Sequence, residues 1–408
     1  MKLNRWKNGA IPAVMIHISI GAVYAWSVFS QSVMAALNAT LAEVSWAFSI
    51  AIFFLGMSAA FLGIFVERLG PRRAALLSGT FYSLGLIGSG LAVQMGSLKL
   101  LYFFYGAIGG IGLGIGYIAP VKTLVNWFYD HRGLATGLAI MGFGFASAIA
   151  GPLIRALLDA VGPTKTFIIL GIAYFIIIFL ASRLIQPAPS RELPTDGGEG
   201  VKLSHLRQYT VGEAMQTREF YALWFMLFIN ITCGIALLAV AAPLLQEMTG
   251  ISAVAAAGIV GIMGIFNGAG RLFWSSISDY IGRDIVYSGF FIIEIIAVLL
   301  LSHLTAVLPF ELLLFIIISC YGGGFSCMPA YLSDIYGTRQ LSAIHGRILS
   351  AWAMAGIAGP CIITWSRSIS NEYTNSLTIF AVLYAAALAV SVLLLLYLRK
   401  KRRAAASA

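Results

Sequence analysis

Charged residues are scarce in this sequence. Only 10% of its 408 residues are Asp, Glu, Lys or Arg, whereas 60% are hydrophobic, and a soluble globular chain has about 25% charged residues. The apolar residues come in blocks long enough to cross the ~30 Å hydrocarbon core of a bilayer. The alternation of polar and apolar residues that is typical of membrane strands is absent, which argues against a barrel. The composition predicts a polytopic helical membrane protein.

Cysteine is rare as well. The four cysteines lie within apolar blocks without forming a CxxC pair, so small buried side chains are favoured over redox or metal ligands: Cys233, Cys320, Cys327 and Cys361. No nucleophile–base pair or metal-ligand cluster stands at a recognisable spacing. The sequence therefore predicts no enzyme, no cofactor and no metal site.

Hydropathy divides the chain into twelve predicted spans. They cover residues 10–37, 44–66, 72–94, 98–123, 134–158, 164–184, 219–246, 253–279, 284–303, 309–332, 342–369 and 374–398. A polar segment rich in proline and glycine separates the sixth span from the seventh and is typical of a linker. The expected fold is an all-α polytopic membrane protein with twelve transmembrane helices in two six-helix halves, namely 1–184 and 218–408 around a linker at 185–217.

The basic residues predict the orientation. Most of the 26 Lys and Arg residues fall on the side of both termini and the linker, and few fall on the other side: Lys99, Arg155, Lys165 and Arg367. By the positive-inside rule, both termini lie in the cytoplasm and the protein crosses the inner (plasma) membrane. The same rule accounts for the net charge of +10, so the charge does not indicate nucleic acid.

The two halves repeat one another. Three landmarks recur at a nearly constant offset: the loops Glu67–Arg72 and Asp279–Arg283, the prolines Pro120 and Pro329, and the pairs Gly151-Pro152 and Gly359-Pro360. An even number of spans per half makes this a parallel repeat about an axis along the membrane normal, with a central site between the halves.

Arg271 is the one cation that topology does not explain. It lies within the eighth predicted span, where an arginine costs roughly 2.5–3.5 kcal/mol on insertion scales, and Asn267 precedes it by one helical turn. A charge kept at that cost indicates a functional site.

One loop carries a family signature. The stretch Gly63–Arg73 resembles the G-x-x-x-D-R-x-G-R-R loop of the major facilitator superfamily, and the loop after the eighth span is a looser copy. The resemblance implies that these loops hold the halves together on the cytoplasmic side, with a carboxylate bonding a neighbouring helix N-terminus. The candidate gating residues are Glu67, Arg68, Arg72, Asp279 and Arg283.

A finer resemblance covers essentially the whole chain. The stretches Gly21–Phe29, Tyr209–Met215, Asn267–Arg271 and Gly346–Trp352 are similar to the oxalate/formate antiporter family and related monocarboxylate transporters. The resemblance implies that Arg271 binds the substrate carboxylate.

Two departures from that family pattern restrict the range of expected substrates. The oxalate-exchanging member has a lysine in the eleventh span, whereas this sequence has no lysine or arginine between Ile348 and Trp365 and has Trp352 near the expected place. A dianion would then meet one cation and leave a carboxylate unmatched. The proton-coupled animal transporters have an aspartate where this sequence has Asn267, which does not titrate. We therefore expect a monomeric transporter of a small monocarboxylate such as formate, lactate or pyruvate, by exchange or linked to protons. An oxalate/formate antiporter is the alternative, and a transporter-like membrane sensor a remote one.

The other site candidates are polar and aromatic side chains on predicted cavity faces. Hydroxyl and ring N–H groups can donate to a carboxylate, and the alternative for each residue is helix packing or an interfacial belt. Tyr321 and Tyr331 lie about 80° apart on an ideal helix and cannot both face the site. His17 and the deeply placed Glu294 stay open between a site role and a structural one. The candidates are Tyr24, Tyr117, Tyr321, Tyr331, His345 and Trp352.

Overall fold

The structure, a computed structural model, describes residues 4–189, 208–370 and 372–406, and helices dominate all three ranges. Nine of the described helices are long and apolar enough to cross a membrane. Two of these, Glu43–Gln94 and Arg132–Leu184, each contain two spans, and the helix Ala253–Ile281 adds another. The twelve predicted spans are therefore confirmed.

The first six spans are labelled α1 to α6. They comprise α1 (Trp6–Leu37), α2 and α3 (residues 41–69 and 71–94 of Leu41–Gln94), α4 (Leu98–Trp127), and α5 and α6 (residues 132–161 and 163–184 of Arg132–Leu184). The last six are α7 (Arg218–Thr249), α8 (Ala253–Ile281), α9 (Arg283–Leu301), α10 (Val307–Tyr336), α11 (Leu341–Ile348 and Ser350–Ser370) and α12 (Tyr373–Ala406).

Glycines with positive φ separate the paired spans. Gly70, with φ 75°, lies between α2 and α3, and Pro71 starts the next helix, where its missing N–H costs no hydrogen bond. Gly282, with φ 97°, makes the equivalent break between α8 and α9. The helix α2 thus runs past the predicted end at residue 66. Gly63 is not part of the turn, because it lies inside α2 and lets Ala343 approach.

Both chain ends lie at one end of the bundle, which we call the basic face. The start of α1 meets the end of α6, where Asn8 Nδ2 donates to Leu184 O at 3.1 Å. The end of α12 meets the start of α7 through the 2.9 Å ion pair of Lys401 with Glu219. The predicted linker, 185–217, includes residues 190–207, which lie outside the described residues.

Small residues bring the two halves together along two helix pairs. On α5, a Cβ added to Gly133 would overlap the Ser275 carbonyl oxygen, and one added to Gly144 would lie 2.7 Å from Gly268 Cα of α8. On α2, a Cβ on Gly56 would lie 2.8 Å from the Ala353 Cβ of α11. Such contacts between small residues let membrane helices approach closely, and those of α5 with α8 lie beside Arg271.

Two helices that contribute to this space are not regular. The segment Ala22–Ala25 of α1 is a 3₁₀ turn and includes Tyr24. The helix α11 is interrupted at Leu349, so His345 and Trp352 belong to separate segments rather than to the single predicted helix. Both rings nevertheless contact Tyr117.

Three of the cysteines, Cys233, Cys320 and Cys327, are buried as expected, but Cys361 is exposed on the surface of α11. That surface faces outward from the helices, where a small apolar side chain is compatible with lipid. Within the described ranges, no group of three or more His, Cys, Asp or Glu residues could hold a metal ion.

Candidate functional site

Arg271 lies on α8 between the two halves, with 0% of its surface exposed. Its Nε donates to Oδ1 of Asn267, one turn earlier, at 3.0 Å. Both terminal nitrogens, Nη1 and Nη2, are buried without a hydrogen-bond partner of regular geometry. Among the described residues, no carboxylate oxygen lies within 4.0 Å of the guanidinium. The charge is therefore oriented but not neutralised.

Two phenylalanine rings flank the guanidinium. Its Cζ lies 5.1 Å from the ring centroid of Phe325 on α10 and 5.9 Å from that of Phe143 on α5. A cation within about 6 Å of an aromatic centroid is attracted to the ring face. Because Phe143 belongs to the first half and Phe325 to the second, the cation contacts both.

Glycines make room for the Arg271 side chain. A Cβ added to Gly144 would lie 3.1 Å from its Nε, and one added to Gly322 would lie 3.2 Å from its Cγ. Contacts this short require the neighbour to shift. Larger residues at either position would therefore displace the guanidinium.

Three tyrosine hydroxyls surround the charge. The hydroxyls of Tyr24 and Tyr117 both interact electrostatically with Arg271, and the Tyr24 hydroxyl faces that of Tyr321. None of the three oxygens has a hydrogen-bond partner of regular geometry. Each hydroxyl can therefore donate to a bound group.

Trp352 joins the aromatic rings into one cluster. Its ring centroid lies 4.7 Å from that of Phe325, 5.4 Å from that of Tyr117 and 5.7 Å from that of Phe143. Its indole Nε1 is buried without a partner. The rings of two histidines border the cluster, and Nε2 of each also lacks a partner: His17, 5.4 Å from Tyr117, and His345, 6.0 Å from Tyr117.

We call this group the central cluster, comprising Arg271, Asn267, Tyr24, Tyr117, Tyr321, Trp352, His17, His345, Phe143 and Phe325. Buried polar groups in proteins are nearly always hydrogen-bonded, and an unpaired buried charge is costly. Here the guanidinium nitrogens, the hydroxyls and the indole N–H without partners are all able to donate, and their side chains lie next to one another. The arrangement suits a small anion with acceptor oxygens.

The structure thus groups most of the residues singled out from the sequence and separates others. Tyr331 packs against Tyr287 of α9, with ring centroids 5.9 Å apart, within the second half. Glu294 is fully buried there and accepts a 3.3 Å hydrogen bond from Asn230 of α7. Sequence reasoning missed Phe143 and Phe325, since a phenylalanine in an apolar helix carries no distinguishing signal.

A second set of polar contacts joins the halves at the basic face. Asp279, near the end of α8, accepts from the backbone N–H groups of Gly133 and Leu134 at 2.8 and 2.9 Å. These N–H groups belong to the first turn of α5, where the helix dipole favours a negative charge.

The repeat places an equivalent contact on the other side of the symmetry axis. Glu67 of α2 accepts from the Ser342 N–H in the first turn of α11 at 2.8 Å and pairs with Lys122 at 3.1 Å. Lys122 also donates to the Arg339 carbonyl oxygen at 2.9 Å.

Asp334 completes the contacts of the basic face. It pairs with Arg132 of α5 at 3.1 Å and with Arg283 at 3.3 Å, so it links the two halves. The sequence had marked Arg283 but not Arg132 or Asp334. Arg68 and Arg72 were predicted to take part in the gate. Both are exposed, and no ion pair among the described residues involves either.

Comparison with known proteins identifies the family. The model of the Major Facilitator Superfamily matches residues 13–360 and 223–408. A solved structure of the transporter FucP in the outward conformation has the same fold, with a TM-score of 0.73 and 13% identity over 94% of this chain and 98% of that one. The chain therefore belongs to the major facilitator superfamily and is a secondary transporter rather than an enzyme.

Two relatives are similar over most of their length. The oxalate:formate antiporter of Oxalobacter formigenes is 29% identical over 361 residues, which cover 87% of this chain and 83% of that protein. The uncharacterized MFS-type transporter YhjX of Escherichia coli (strain K12) is 28% identical over 355 residues, which cover 86% of each chain.

Proposed function

We propose that this protein transports a small monocarboxylate, such as formate, lactate or pyruvate, and that the carboxylate binds Arg271 in the central cluster. The observation that carries the proposal is the pair of unpartnered terminal nitrogens on a fully buried guanidinium. A planar carboxylate can accept two parallel hydrogen bonds from such a fork. The hydroxyls of Tyr24 and Tyr117 would donate to its remaining lone pairs.

The single positive charge of the cluster favours a substrate with one carboxylate over a substrate with two. Arg271 is the single Lys or Arg of the central cluster, and Lys122 and Arg347 lie toward the basic face. A bound dianion would keep one carboxylate without a counter-ion in a water-excluded space, which costs several kcal/mol. Trp352 supplies only a neutral N–H at the place where a second cation would be needed.

Oxalate/formate exchange is the second candidate. It is favoured by the 29% identity with a named oxalate:formate antiporter. For this activity, oxalate would have to accept neutral donors at its second carboxylate, from Trp352, His345 or the tyrosines.

Transport would proceed by alternating access. The contacts of Asp279 with α5 and of Glu67 with α11 would hold the basic face closed, and both would break when the halves rock. With the termini in the cytoplasm, this face is the cytoplasmic gate. Asn267 orients the guanidinium but has no proton to exchange, so exchange is favoured over proton-linked flux through that residue.

Counterflow into proteoliposomes tests the function. Vesicles loaded with unlabelled formate, lactate, pyruvate or oxalate are diluted into the labelled anion. We expect uptake of one or more monocarboxylates and little uptake of oxalate. Arg271→Gln should reduce uptake about 100-fold or more, since truncating one partner of a buried charge pair costs about 2–5 kcal/mol.

The matched control is Arg155→Gln, which removes an exposed arginine paired with Asp159 four residues on, and it should transport normally. Oxalate counterflow equal to that of formate would favour the second candidate. Normal uptake by Arg271→Gln would exclude Arg271 as the substrate ligand.

A further inference from the structure

A groove opens on the outer surface of the bundle where the two halves meet, and it is separate from the central cluster. It has a volume of about 360 Å³ and is lined by residues of α2, α7 and α11 and by Met215, which precedes α7. That volume falls within the range of about 300–1,000 Å³ that is typical of small-ligand sites. The residues that matter here are Met57, Phe61, Phe220, Trp224, Arg347 and Ser350.

The walls of the groove are largely apolar. The first half contributes Met57 and Phe61 from α2, and the second contributes Phe220 and Trp224 from α7. The indole Nε1 of Trp224 donates to the Ser350 hydroxyl at 2.9 Å. This bond ties α7 to α11 within the lining of the groove.

Arg347 supplies the one charge of the lining. Its guanidinium Cζ lies 4.6 Å from the centroid of the Phe61 ring. In the described part of the chain, no carboxylate oxygen lies within 4.0 Å of this guanidinium. The residue is half-buried, so its cation is accessible and lacks an anionic partner.

The apolar walls and the single cation of the groove indicate which class of ligand would bind there. A free inorganic anion could pair with Arg347 but would gain nothing from the apolar walls, whereas a hydrocarbon chain would gain from the walls but not from the charge. A phospholipid with an anionic headgroup satisfies both. The groove opens on the lipid-facing surface near the basic face, where Phe61 and Tyr221 are 61% and 59% exposed, and anionic leaflets attract basic residues.

We propose that this groove binds an anionic phospholipid of the leaflet at the basic face, with its phosphate on Arg347 and an acyl chain against Met57, Phe61 and Trp224. Since the lining comes from both halves, the lipid stabilises the arrangement in which the basic face is closed. A ligand that binds one conformation better shifts the population toward it. Anionic lipid therefore acts as a regulator of the conformational equilibrium.

The experiment uses the full-length protein in nanodiscs of phosphatidylcholine, with and without 30% phosphatidylglycerol. Spin labels at the basic-face ends of α2 and α11 report the closed fraction by double electron–electron resonance. Native mass spectrometry counts the retained phosphatidylglycerol. Neither readout requires a transported substrate, so failure of the proposed function and failure of this inference are distinguishable.

Phosphatidylglycerol should raise the closed-to-open ratio of the wild-type protein at least threefold. Arg347→Gln should remove both the shift and one retained lipid. Arg183→Gln is the matched control, because Arg183 is also an arginine stacked on a phenylalanine, Phe179, at 4.8 Å, but it lies at the end of α6, outside the groove. This variant should behave as the wild type.

Met57→Trp provides a second variant that keeps Arg347 and fills the groove, and it should also lose the lipid response. The inference is overturned if folded Arg347→Gln or Met57→Trp responds to phosphatidylglycerol as the wild type does. It is also overturned if inorganic phosphate added to phosphatidylcholine nanodiscs produces the same shift, because a free anion would then be sufficient.

Discussion

The side chain of Asn267 holds the guanidinium of Arg271 by a single 3.0 Å hydrogen bond from Nε. Because the carboxamide is neutral, it fixes the orientation of the cation and leaves the full positive charge for another group. The two terminal nitrogens, which form the fork that suits a carboxylate, have no partner. Asn267 therefore orients the guanidinium without neutralising its charge.

Replacing the amide by an acid should therefore make transport depend on pH. In Asn267→Asp, the new carboxylate competes with the substrate for Arg271 at neutral pH, and protonation at lower pH removes the competitor. We expect counterflow about 10-fold below wild type at pH 7.5, rising as the pH falls to 5.5. The wild-type protein, measured over the same range, should lack this acid activation, and an unaltered profile in the variant would contradict the role given to Asn267.

The hydroxyl of Tyr117 should contribute to affinity rather than to stability. Its oxygen has no hydrogen-bond partner of regular geometry, so Tyr117→Phe removes no regular hydrogen bond. A hydrogen bond to a charged group contributes about 1.5–3 kcal/mol, so we expect KM for the monocarboxylate to rise by at least about 10-fold with little change in Tm. The control is Tyr174→Phe in α6, where the ring stacks on Tyr82. A large fall in Tm for Tyr117→Phe at unchanged KM would assign this residue to packing.

Gly133 should be required for the approach of α5 to α8. A Cβ at this position would overlap the Ser275 carbonyl oxygen, and overpacking of this kind costs about 1–3 kcal/mol. We expect Gly133→Ala to lower Tm by several degrees and to reduce transport. Gly289→Ala in α9 is the matched control, because nothing lies within 4 Å of a Cβ there. Equal stability of the two variants would exclude close packing at Gly133.

The carboxylate of Asp279 should favour closure of the basic face. It accepts two backbone hydrogen bonds from the first turn of α5, and Asp279→Asn removes the charge that the helix N-terminus attracts. We expect a larger open fraction at the basic face, measured by distances between spin labels on α5 and α8. Asp159→Asn, at an exposed position in α5, should leave the distance distribution unchanged. Identical distributions for the two variants would refute the gating role.

The sequence identified the site residues that stand out against an apolar helix, where a charged side chain is energetically costly. Arg271 was found because no rule of topology explains a cation there, and Asn267 because it lies one turn away. Hydropathy was enough to place twelve spans, and the distribution of basic residues and the repeat were consistent with them. These features depend on single residues or on regular spacing, which a sequence displays directly.

Other features depend on how helices rotate against their neighbours, and the sequence does not record that rotation. Tyr331 lies against Tyr287 of α9, although its helix also contributes Tyr321 to the central cluster. Phe143 and Phe325 flank the charge but look like any apolar residues. The break in α11 at Leu349 has no proline to indicate it, and the nearby Gly346 does not by itself predict a break.

Ligand-induced thermal stabilisation of purified Arg271→Gln tests the central claim most directly, because it measures binding without transport. A monocarboxylate at about 100 times its Kd should stabilise the wild-type protein by about 2.7 kcal/mol and raise its Tm accordingly. The variant should fold with an unliganded Tm equal to or above that of the wild type, since it loses an uncompensated buried charge, and should show no shift with the same ligand. An equal ligand-induced shift in both proteins would contradict the account.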